Sequence, residues 1–204
     1  NATLNVGSGT TVDGIISGDT NARGTLNVLG NFTHDRTIGT SSIATTTSIF
    51  SLEEINISEG NTFTMSKNVT TTRMDINGTV TAEGNITAAI TMGNDGILNL
   101  NTLTNASGTQ AANVTGVIQS GVIDTNQGTL SINGTWGTSA EIGTGGRGLD
   151  AIYLGANGNS TSAFTTTFGH SVNATTITLG TATSSLNSTL VIQSDVRGVN
   201  TVIT

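Results

Sequence analysis

Residues Gly24–Asn31 read GTLNVLGN, in which Leu26 and Val28 alternate with polar residues between two glycines. Alternation with a period of two places both apolar side chains on one face of a β-strand. The phrase recurs with small changes at Gly78–Asn85 (GTVTAEGN), Gly128–Gly134 (GTLSING), Gly96–Asn101 (GILNLN), Ala2–Gly7 (ATLNVG) and Ser188–Ile192 (STLVI). A strand phrase that returns along the whole chain predicts a repeat architecture.

Short apolar pairs of the same kind occur throughout the sequence. They are Leu4/Val6, Leu26/Val28, Ile55/Ile57, Met74/Ile76, Leu98/Leu100, Leu130/Ile132, Ile152/Leu154, Ile177/Leu179 and Leu190/Ile192. Each pair forms a narrow stripe, so a single strand buries too little apolar surface to offset the entropy of ordering it. A stable core therefore requires that many such strands stack on one another.

The spacing of the copies indicates the length of the stacked unit. Their central apolar residues are Leu4, Leu26, Val80, Leu98, Leu130 and Leu190. The short steps, from Leu4 to Leu26 and from Val80 to Leu98, indicate a loose unit of roughly 20 residues. Degenerate copies account for the longer steps, except for the step from Leu98 to Leu130, which does not fit.

This spacing, with strand-only content, predicts an all-β parallel β-helix (β-solenoid) of roughly nine imperfect coils. Coils that stack in parallel lie about 4.8 Å apart, so the rod would be about 40 Å long.

The composition agrees with axial stacking. Thr, Gly, Asn and Ser make up 109 of the 204 residues, and proline is absent. Asn and Thr can form ladders between coils, glycine suits the corners, and a proline would remove a ladder hydrogen bond. A β-sandwich is the alternative, because turn signals such as Asn94–Gly96, Asn77–Gly78 and Asn133–Gly134 also suit hairpins. Aromatic residues make up only 3% of the chain, which disfavours a sandwich core.

Charge and cysteine content exclude several classes of function. The formal net charge is −7 with only six Lys and Arg residues, so the chain cannot neutralise a run of phosphates, and we expect no nucleic-acid partner. Without cysteine there is neither a disulfide framework nor a cysteine zinc site. No apolar run is long enough to span a membrane, and any signal peptide is absent or already removed.

We expect residues 1–204 to be one β-solenoid segment without a linker. The glycine-rich stretch Gly143–Ser162 is predicted to be a loop or an irregular coil. The alternating strand pattern continues up to both ends of the sequence. A strand begins directly after Asn1, and Val202–Ile203 is still apolar. Bare solenoid ends expose unpaired strand edges. The sequence therefore predicts part of a longer chain or a polymer subunit.

Histidine is limited to His34 and His170. His34 and Asp35 could form half of a general-base pair, but adjacent strand residues point to opposite faces. We therefore expect these two residues to lie in a solvent-facing turn.

The nearest cluster of carboxylates is Glu53, Glu54 and Glu59. A polysaccharide-cleaving β-helix would need clustered carboxylates or a basic group opposite them. A solvated charged turn explains the cluster more simply. We accordingly expect no enzyme, and we assign no catalytic, cofactor-binding or metal-binding residue.

The stretch Gly145–Tyr153 matches the calcium-binding nonapeptide G-G-x-G-x-D-x-U-x at every fixed position, with Asp150 as the carboxylate. In such arrays, oxygens from two coils share each ion. A single copy makes only half-sites, and residues 154–159 do not continue the pattern. We therefore interpret the match as a product of the glycine-rich composition.

Twelve asparagines begin an N-x-[ST] sequon, about twice the number expected by chance. They are Asn1, Asn31, Asn56, Asn68, Asn77, Asn85, Asn105, Asn113, Asn133, Asn159, Asn173 and Asn187. The excess fits a glycosylated surface protein. It fits strand alternation equally well, since an outward Asn is then followed by an inward apolar residue and an outward Ser or Thr.

Threonine triplets occur at Thr45–Thr47, Thr70–Thr72 and Thr165–Thr167. Ice-binding solenoids present flat, regular ranks of Thr-x-Thr. The triplets of this chain are irregularly spaced, so no flat array is predicted from them.

The GTL-type phrases and the segment Asn94–Leu100 (NDGILNL) resemble the passenger regions of bacterial autotransporters and of filamentous-haemagglutinin-type adhesins. Low charge, the lack of cysteine and richness in Thr, Asn and Gly are also similar. The resemblance implies a secreted right-handed β-helix at the bacterial surface that works by display, adhesion or assembly. It carries over no catalytic residue.

Two functions follow as alternatives. The first is a non-enzymatic extracellular rod that self-associates into a filament, sheath or layer at the cell surface. The second is an adhesin or autotransporter passenger stalk that attaches to a glycan of a host or another surface. Adhesive sites concentrate aromatic residues, and this chain offers only Trp136 and Tyr153. The structural role is therefore the one that we expect.

Overall fold

The computed structural model describes residues 1–19, 22–39, 50–101, 103–105, 108–110, 112–155, 165–179 and 189–197. Every regular element in these ranges is a β-strand. In chain order the strands are β1 Thr3–Val6, β2 Thr25–Val28, β3 Phe32–His34, β4 Leu52–Ile57, β5 Thr62–Met65, β6 Val69–Ile76, β7 Thr79–Ala82, β8 Ile86–Met92, β9 Ile97–Asn101, β10 Leu103–Asn105, β11 Gly108–Gln110, β12 Ala112–Thr115, β13 Ile118–Ser120, β14 Thr129–Asn133, β15 Trp136–Thr138, β16 Leu149–Leu154, β17 Thr165–Phe168, β18 Val172–Leu179, β19 Thr189–Ile192 and β20 Val196–Arg197.

Apart from the antiparallel pair β10–β11, the strands pair in parallel, with one register shift between β6 and β8, so inward apolar residues form ladders along one axis. The first ladder runs through nine levels of the described chain: Leu4, Leu26, Ile55, Met74, Ile90, Ile118, Ile142, Val172 and Val196. Each step joins residues of successive coils rather than the two arms of a hairpin. The predicted coil number of roughly nine is confirmed.

Two further ladders complete the cross-section of the coil. The second consists of Phe32, Phe63, Val80, Leu98, Leu130, Ile152 and Ile177. The third consists of Ile16, Ile38, Val69, Ile86, Val114, Thr138, Phe168 and Ile192. β6 and β8 pass from the third ladder to the first without a break, which joins these two ladders into one ten-stranded sheet. The second ladder belongs to the eight-stranded sheet.

This arrangement confirms the parallel β-helix, and the β-sandwich alternative is wrong. Met74 pairs with Ile90, and Leu98 pairs with Leu130, so the partners of each pair are far apart in sequence and their strands run in the same direction. The chain must make a full coil between the two partners of such a parallel pair, whereas a sandwich is built from antiparallel strands that are joined by short turns. Asn77–Gly78, Asn94–Gly96 and Asn133–Gly134 accordingly lie at corners between successive parallel strands.

The core is thin and continuous along the axis. All nine apolar pairs singled out in the sequence lie in strands, and most of their side chains are fully buried. Apolar side chains are more exposed in the outermost strands. Leu4 of β1 is 40% exposed, because β1 pairs only with β2 in the described chain. Burial of each stripe thus depends on the coils above and below it, as the sequence analysis requires.

Asparagine ladders lie on the outside of the first ladder. The Asn27 Nδ2 donates to the Asn5 Oδ1 at 2.8 Å, and the Asn56 Nδ2 donates to the Asn27 Oδ1 at 3.0 Å. Identical side chains at the same register position thus satisfy one another along the axis, which confirms the expected role of asparagine.

The copies of the sequence phrase lie on different ladders, and this explains their irregular spacing. Leu4 and Leu26 belong to the first ladder, Val80 to the second, and Leu190 is in β19 beside the third. The long step from Leu98 to Leu130 is one coil enlarged by an excursion, in which β10 and β11 pair in antiparallel fashion. The phrase therefore marks a strand and not a coil.

The prediction of an irregular stretch at Gly143–Ser162 is wrong for its central part. β16 lies within it and pairs in register with both β14 and β18. Its pattern is hidden because glycines precede it and because Ala151 and Ile152 are both buried, which breaks simple alternation. Residues 156–162 lie outside the described residues.

Candidate functional site

His34 lies inside the β-helix, so the predicted solvent-facing turn is wrong for this residue. It is the third residue of β3, pairs with Met65 of β5, and is 1% exposed. Its ring stacks on Phe32 with centroids 5.9 Å apart, and Phe32 stacks in turn on Phe63. The alternation argument correctly placed His34 and Asp35 on opposite faces; Asp35 is exposed as expected, whereas His34 points inward.

The imidazole of His34 is buried in the core. Neither ring nitrogen has a hydrogen-bond partner in the described structure. Burial lowers the pKa of His34 below the ordinary imidazole value. The carboxylate of Asp35 and the nearby backbone of Val12 oppose this shift, and Arg36 adds to it. His34 is therefore neutral at pH 7, and its protonation in the core is unfavourable.

We expect the free energy of unfolding to fall as the pH drops below about 6.5, the ordinary pKa of histidine. Between the lowered pKa of His34 in the folded protein and its ordinary value of about 6.5, the unfolded chain binds more protons than the folded one. The stability contribution of the neutral His34 is therefore complete only above pH about 6.5. In the variant His34→Met, which continues the Met65 column, this dependence should vanish. Urea unfolding between pH 8 and pH 5 measures it.

The matched control for this measurement is His170→Met, because His170 is exposed. The control should retain the acid-dependent loss. Glu54, whose pKa is lowered mainly by a hydrogen bond from Arg73, acts only at lower pH. An unchanged pH profile in His34→Met would contradict the assignment.

The carboxylate cluster is part of a strand rather than a turn. Glu53 and Glu54 lie in β4, and only Glu59 is in the following turn. Glu54 accepts a hydrogen bond from the Arg73 Nε at 3.1 Å, and the same Nε lies 3.3 Å from the Asp75 Oδ2. Burial raises the pKa of Asp75, which Arg73 partly opposes. The group is an ion-pair network across neighbouring coils.

The nonapeptide match at Gly145–Tyr153 forms a turn and the start of a strand. Gly145 and Gly146 have φ values of 54° and 79°, which glycine adopts readily. The Gly146 carbonyl accepts a hydrogen bond from the Asp124 backbone N–H at 2.8 Å. Asp150 is exposed on β16, and the described residues contain no group of three or more His, Asp or Glu that could hold a metal ion. The glycines are thus explained by the turn itself.

Several sequon asparagines have a structural role at corners of the coil. The Oδ1 atoms of Asn31, Asn68 and Asn85 accept the backbone N–H groups of Thr62, Asn85 and Asn113, respectively. The middle residues of the sequons at Asn31, Asn56, Asn68, Asn85 and Asn113 are buried, as alternation predicts: Phe32, Ile57, Val69, Ile86 and Val114. Asn133 is only 7% exposed. Asn159 and Asn187 lie outside the described residues, as does the side chain of Asn105.

The second ladder carries an outward surface that we call the threonine face. It consists of two columns, Thr62–Thr79–Ile97–Thr129–Ala151–Thr176 and Thr33–Thr64–Thr81–Asn99–Ser131–Tyr153–Thr178. Neither column contains a charged residue. Thr33 and Tyr153 are exposed, Ala151 and Ser131 are buried, and the other members of the two columns are half-buried. The outside of the first ladder, in contrast, carries Glu54, Arg73 and Asp75.

The threonine triplets noted in the sequence do not contribute to this face. Thr71 is buried, and its hydroxyl bonds to the Leu52 carbonyl at 3.2 Å. Thr166 is also buried, with its hydroxyl 3.3 Å from the Gly134 carbonyl. Thr45–Thr47 lies outside the described residues. Contiguous triplets thus span both strand faces, whereas the threonines of the outward columns come from separate Thr-x-Thr and Thr-x-Ser segments.

A shallow cavity of about 490 Å³, the Gly137 groove, lies over the outside of the third ladder. The residues lining it include Asn113, Thr135, Gly137, Ser139, His170 and Gln193. A second cavity, of about 610 Å³, lies beside β1 and residues 12–19 and includes the exposed Leu4 and Ile15. Hydroxyl, amide and imidazole side chains line the Gly137 groove, and none of its described lining residues is Lys, Arg, Asp or Glu, whereas Asp19 and Arg23 line the second cavity.

Comparison with known proteins identifies no relative. No protein-family model matches the chain, no curated protein is similar to it, and no solved structure resembles it. Function must therefore be argued from the surfaces described above.

The two candidate surfaces were not evident from the sequence, and neither were the roles of the aromatic residues. Trp136 is 1% exposed and its Nε1 donates to the Asn101 carbonyl at 3.2 Å, so it is a core residue. Tyr153 is 36% exposed on the threonine face. Register between coils, which joins Asn113, Gly137 and Thr167, is the signal that the sequence alone does not display.

No helix of the length and apolarity needed to cross a bilayer occurs within the described ranges.

Proposed function

We propose that the protein is a non-enzymatic extracellular rod that packs side by side with copies of itself, forming a filament, sheath or layer at a cell surface. The observation that carries this proposal is the threonine face, two outward columns without charge across successive coils. Its chemistry suits a second copy of the same face.

Charge is the first argument for self-packing. The chain has a net charge of −7, so copies repel one another wherever acidic side chains meet. The threonine face carries none of these charges. Two rods can therefore approach through this face at lower electrostatic cost than through the outside of the first ladder, where Glu54 and Asp75 lie.

Geometry is the second argument. Facing β-sheets pack about 10 Å apart when their side chains are small enough to interdigitate. Threonine supplies a methyl group for contact and a hydroxyl that both donates and accepts a hydrogen bond. A surface that pairs with its own copy generates a closed two-fold contact, so growth into a filament or layer requires a second contact on another side of the rod.

The continuous core is the third argument. Three inward ladders hold the coils in one register, and the Asn5–Asn27–Asn56 ladder joins them on the outside. A stalk built in this way transmits load along its axis. The resemblance to autotransporter passengers and filamentous-haemagglutinin-type adhesins supports the same location and role.

The test is the addition of a charge to the threonine face. Thr81→Lys places an ammonium in the middle of a column, whereas Thr87→Lys places the same charge on the exposed outside of the third ladder. Electron microscopy and sedimentation should show ordered side-by-side assemblies for the parent protein and for Thr87→Lys. Thr81→Lys should remain as separate rods.

The proposal fails if the parent protein stays monomeric at every concentration. It also fails if Thr81→Lys assembles as the parent does. Circular dichroism of both lysine variants must show an intact fold for the comparison to be valid.

Attachment to a glycan is the second candidate function, and the Gly137 groove is the observation that favours it. Glycosylation of the rod itself would fall on exposed sequons such as Asn68, Asn85 and Asn113. Intact-mass measurement on protein from its native source shows whether the chain carries glycans.

A further inference from the structure

We propose that the Gly137 groove is a binding site for a short, neutral oligosaccharide. The proposal goes beyond self-packing, because the groove lies on the outside of the third ladder and the threonine face on the second. Either surface can therefore function without the other.

The groove exists because a glycine stands where its column otherwise has side chains. The outward column on this side runs Asn113, Gly137, Thr167 and Val191 through β12, β15, β17 and β19. Gly137 is the central residue of β15, and the amide of Asn113 lies over it in place of a side chain. Gly169, in the next coil, also lines the cavity.

Neither backbone conformation nor packing requires glycine at position 137. Its φ is not in the left-handed region. An ideal Cβ would meet only the Asn113 side chain, with the Oδ1 at 2.5 Å, and that amide can swing away. Glycine within a strand destabilises by about 0.5–1 kcal/mol relative to a residue with a side chain. Glycine in the interior of a strand often marks a site where a ligand or another backbone approaches closely, and no backbone lies within 4 Å of an ideal Cβ at position 137.

Gly116 shows what a structurally required glycine looks like in the same region. Its φ is 127°, and an ideal Cβ would lie 1.9 Å from the carbonyl oxygen of Ala88. That contact is with backbone and cannot yield. The comparison separates Gly137 from the corner glycines of the coil.

The lining of the groove selects a neutral, hydroxyl-rich ligand. Hydroxyls of Thr135, Ser139 and Thr167 can each donate and accept, and the amides of Asn113 and Gln193 offer both functions. These are the complements of sugar hydroxyls. No Lys, Arg, Asp or Glu lines the cavity in the described structure, so an ionic group would find no counter-charge.

Other ligand classes fit less well. The groove lies on the face of a sheet and not at its edge, so an extended peptide could not add a strand there. A nucleic acid or other polyanion would meet a chain of net charge −7, and no cation lines the described part of the groove. The volume of about 490 Å³ falls within the usual range for small-ligand sites.

The ligand should be held by hydrogen bonds rather than by aromatic stacking. Trp136 lies beneath the groove, but its ring is buried and its Nε1 is already bonded to Asn101. Binding through polar contacts in an open groove is weak for a single site. A rod with many copies in a layer would gain strength through multivalency.

The experiment is saturation-transfer difference NMR, in which the observed signals are those of the ligand. The probes are lactose, cellobiose, maltotriose and chitobiose, with sialyllactose as the acidic comparator. The method works for single rods and for assemblies. It therefore reports a failure of sugar binding, whereas electron microscopy and sedimentation report a failure of self-packing. Equilibrium dialysis then gives the dissociation constant.

At least one neutral probe should bind, and Gly137→Thr should weaken that binding at least tenfold. The same substitution should leave the melting temperature unchanged or raise it, because threonine suits an exposed strand position. Gln193→Ala removes one exposed amide of the lining and should weaken binding without changing the fold. The matched control is Thr87→Val, on the same side of the rod but outside the groove, which should bind as the parent does.

The proposal is overturned if none of the neutral probes binds. It is overturned equally if Gly137→Thr retains full affinity, or if sialyllactose binds more tightly than every neutral sugar.

Discussion

Replacing Trp136 with alanine should lower the free energy of unfolding by about 3–5 kcal/mol, the range for removing a large aromatic side chain from a packed core. Trp136 is 1% exposed and has the largest of the fully buried side chains. Its indole also satisfies the Asn101 carbonyl, which the substitution leaves without that donor. Urea unfolding followed by circular dichroism measures the loss.

Tyr153→Ala is the matched control, because Tyr153 is 36% exposed. We expect a loss of about 1 kcal/mol or less there, since most of the ring is not removed from water on folding. Equal losses in the two variants would mean that Trp136 is not in the core. The stacking of β12, β15 and β17 would then be wrong at this level.

Replacing Gly116 with alanine should cost about 3 kcal/mol or more, from steric overlap together with backbone strain. Gly116 forms the corner between β12 and β13, with φ at 127°. The Ala88 carbonyl carbon lies only 2.6 Å from the ideal Cβ, so the added methyl group would push neighbouring coils apart. Thermal unfolding reports the change directly.

Gly14→Ala is the control for this substitution. No atom lies within 4 Å of an ideal Cβ at Gly14, and its φ is not in the left-handed region. Alanine there should be neutral or slightly stabilising, because it restricts the unfolded chain. If Gly116→Ala were as harmless as Gly14→Ala, the close approach of the two coils at Ala88 would be refuted.

Strand positions could be predicted from the sequence because they depend on local alternation. Met74/Ile76 and Leu130/Ile132 are apolar pairs bounded by polar residues, and this pattern predicts strands. The choice of a parallel stack followed from the narrow stripes, which cannot form a core in isolation. These inferences need no knowledge of which strand lies beside which.

The assignment of strands to ladders could not be predicted, because it depends on corners of unequal length. Leu26 and Val80 stand in nearly identical phrases, yet they lie on different sides of the coil. The β10–β11 excursion lengthens one coil without changing the register of β9 and β14. A fixed repeat length was therefore not available as a guide.

The same limit concealed the Gly137 groove, but not the position of His34. The alternation that places Phe32 inward also places His34 on the inward face two residues later, and the sequence analysis did not use this signal; the pairing of His34 with Met65 shows the inward position directly. By contrast, nothing in the sequence sets Gly137 apart in a chain with 27 glycines. Its significance follows from the side chains of Asn113 and Thr167 on either side, which come from coils far apart in sequence.

The most direct test of the axial stack is cross-linking of residues in neighbouring coils. Thr70 pairs with Thr87, and Thr87 pairs with Thr115, all on the outside of the third ladder. Adjacent coils place paired Cα atoms about 4.8 Å apart, within the range of roughly 4.4–6.8 Å that a disulfide requires. Two coils separate such atoms by about 9.6 Å, which is too far. The chain has no cysteine of its own to interfere.

We predict that the double variant Thr70→Cys/Thr87→Cys forms an intramolecular disulfide under mild oxidation, detected by mass spectrometry of the non-reduced protein. Thr70→Cys/Thr115→Cys should remain reduced. If the nearer pair failed to oxidise while the farther pair did, successive coils could not lie on top of one another in this register.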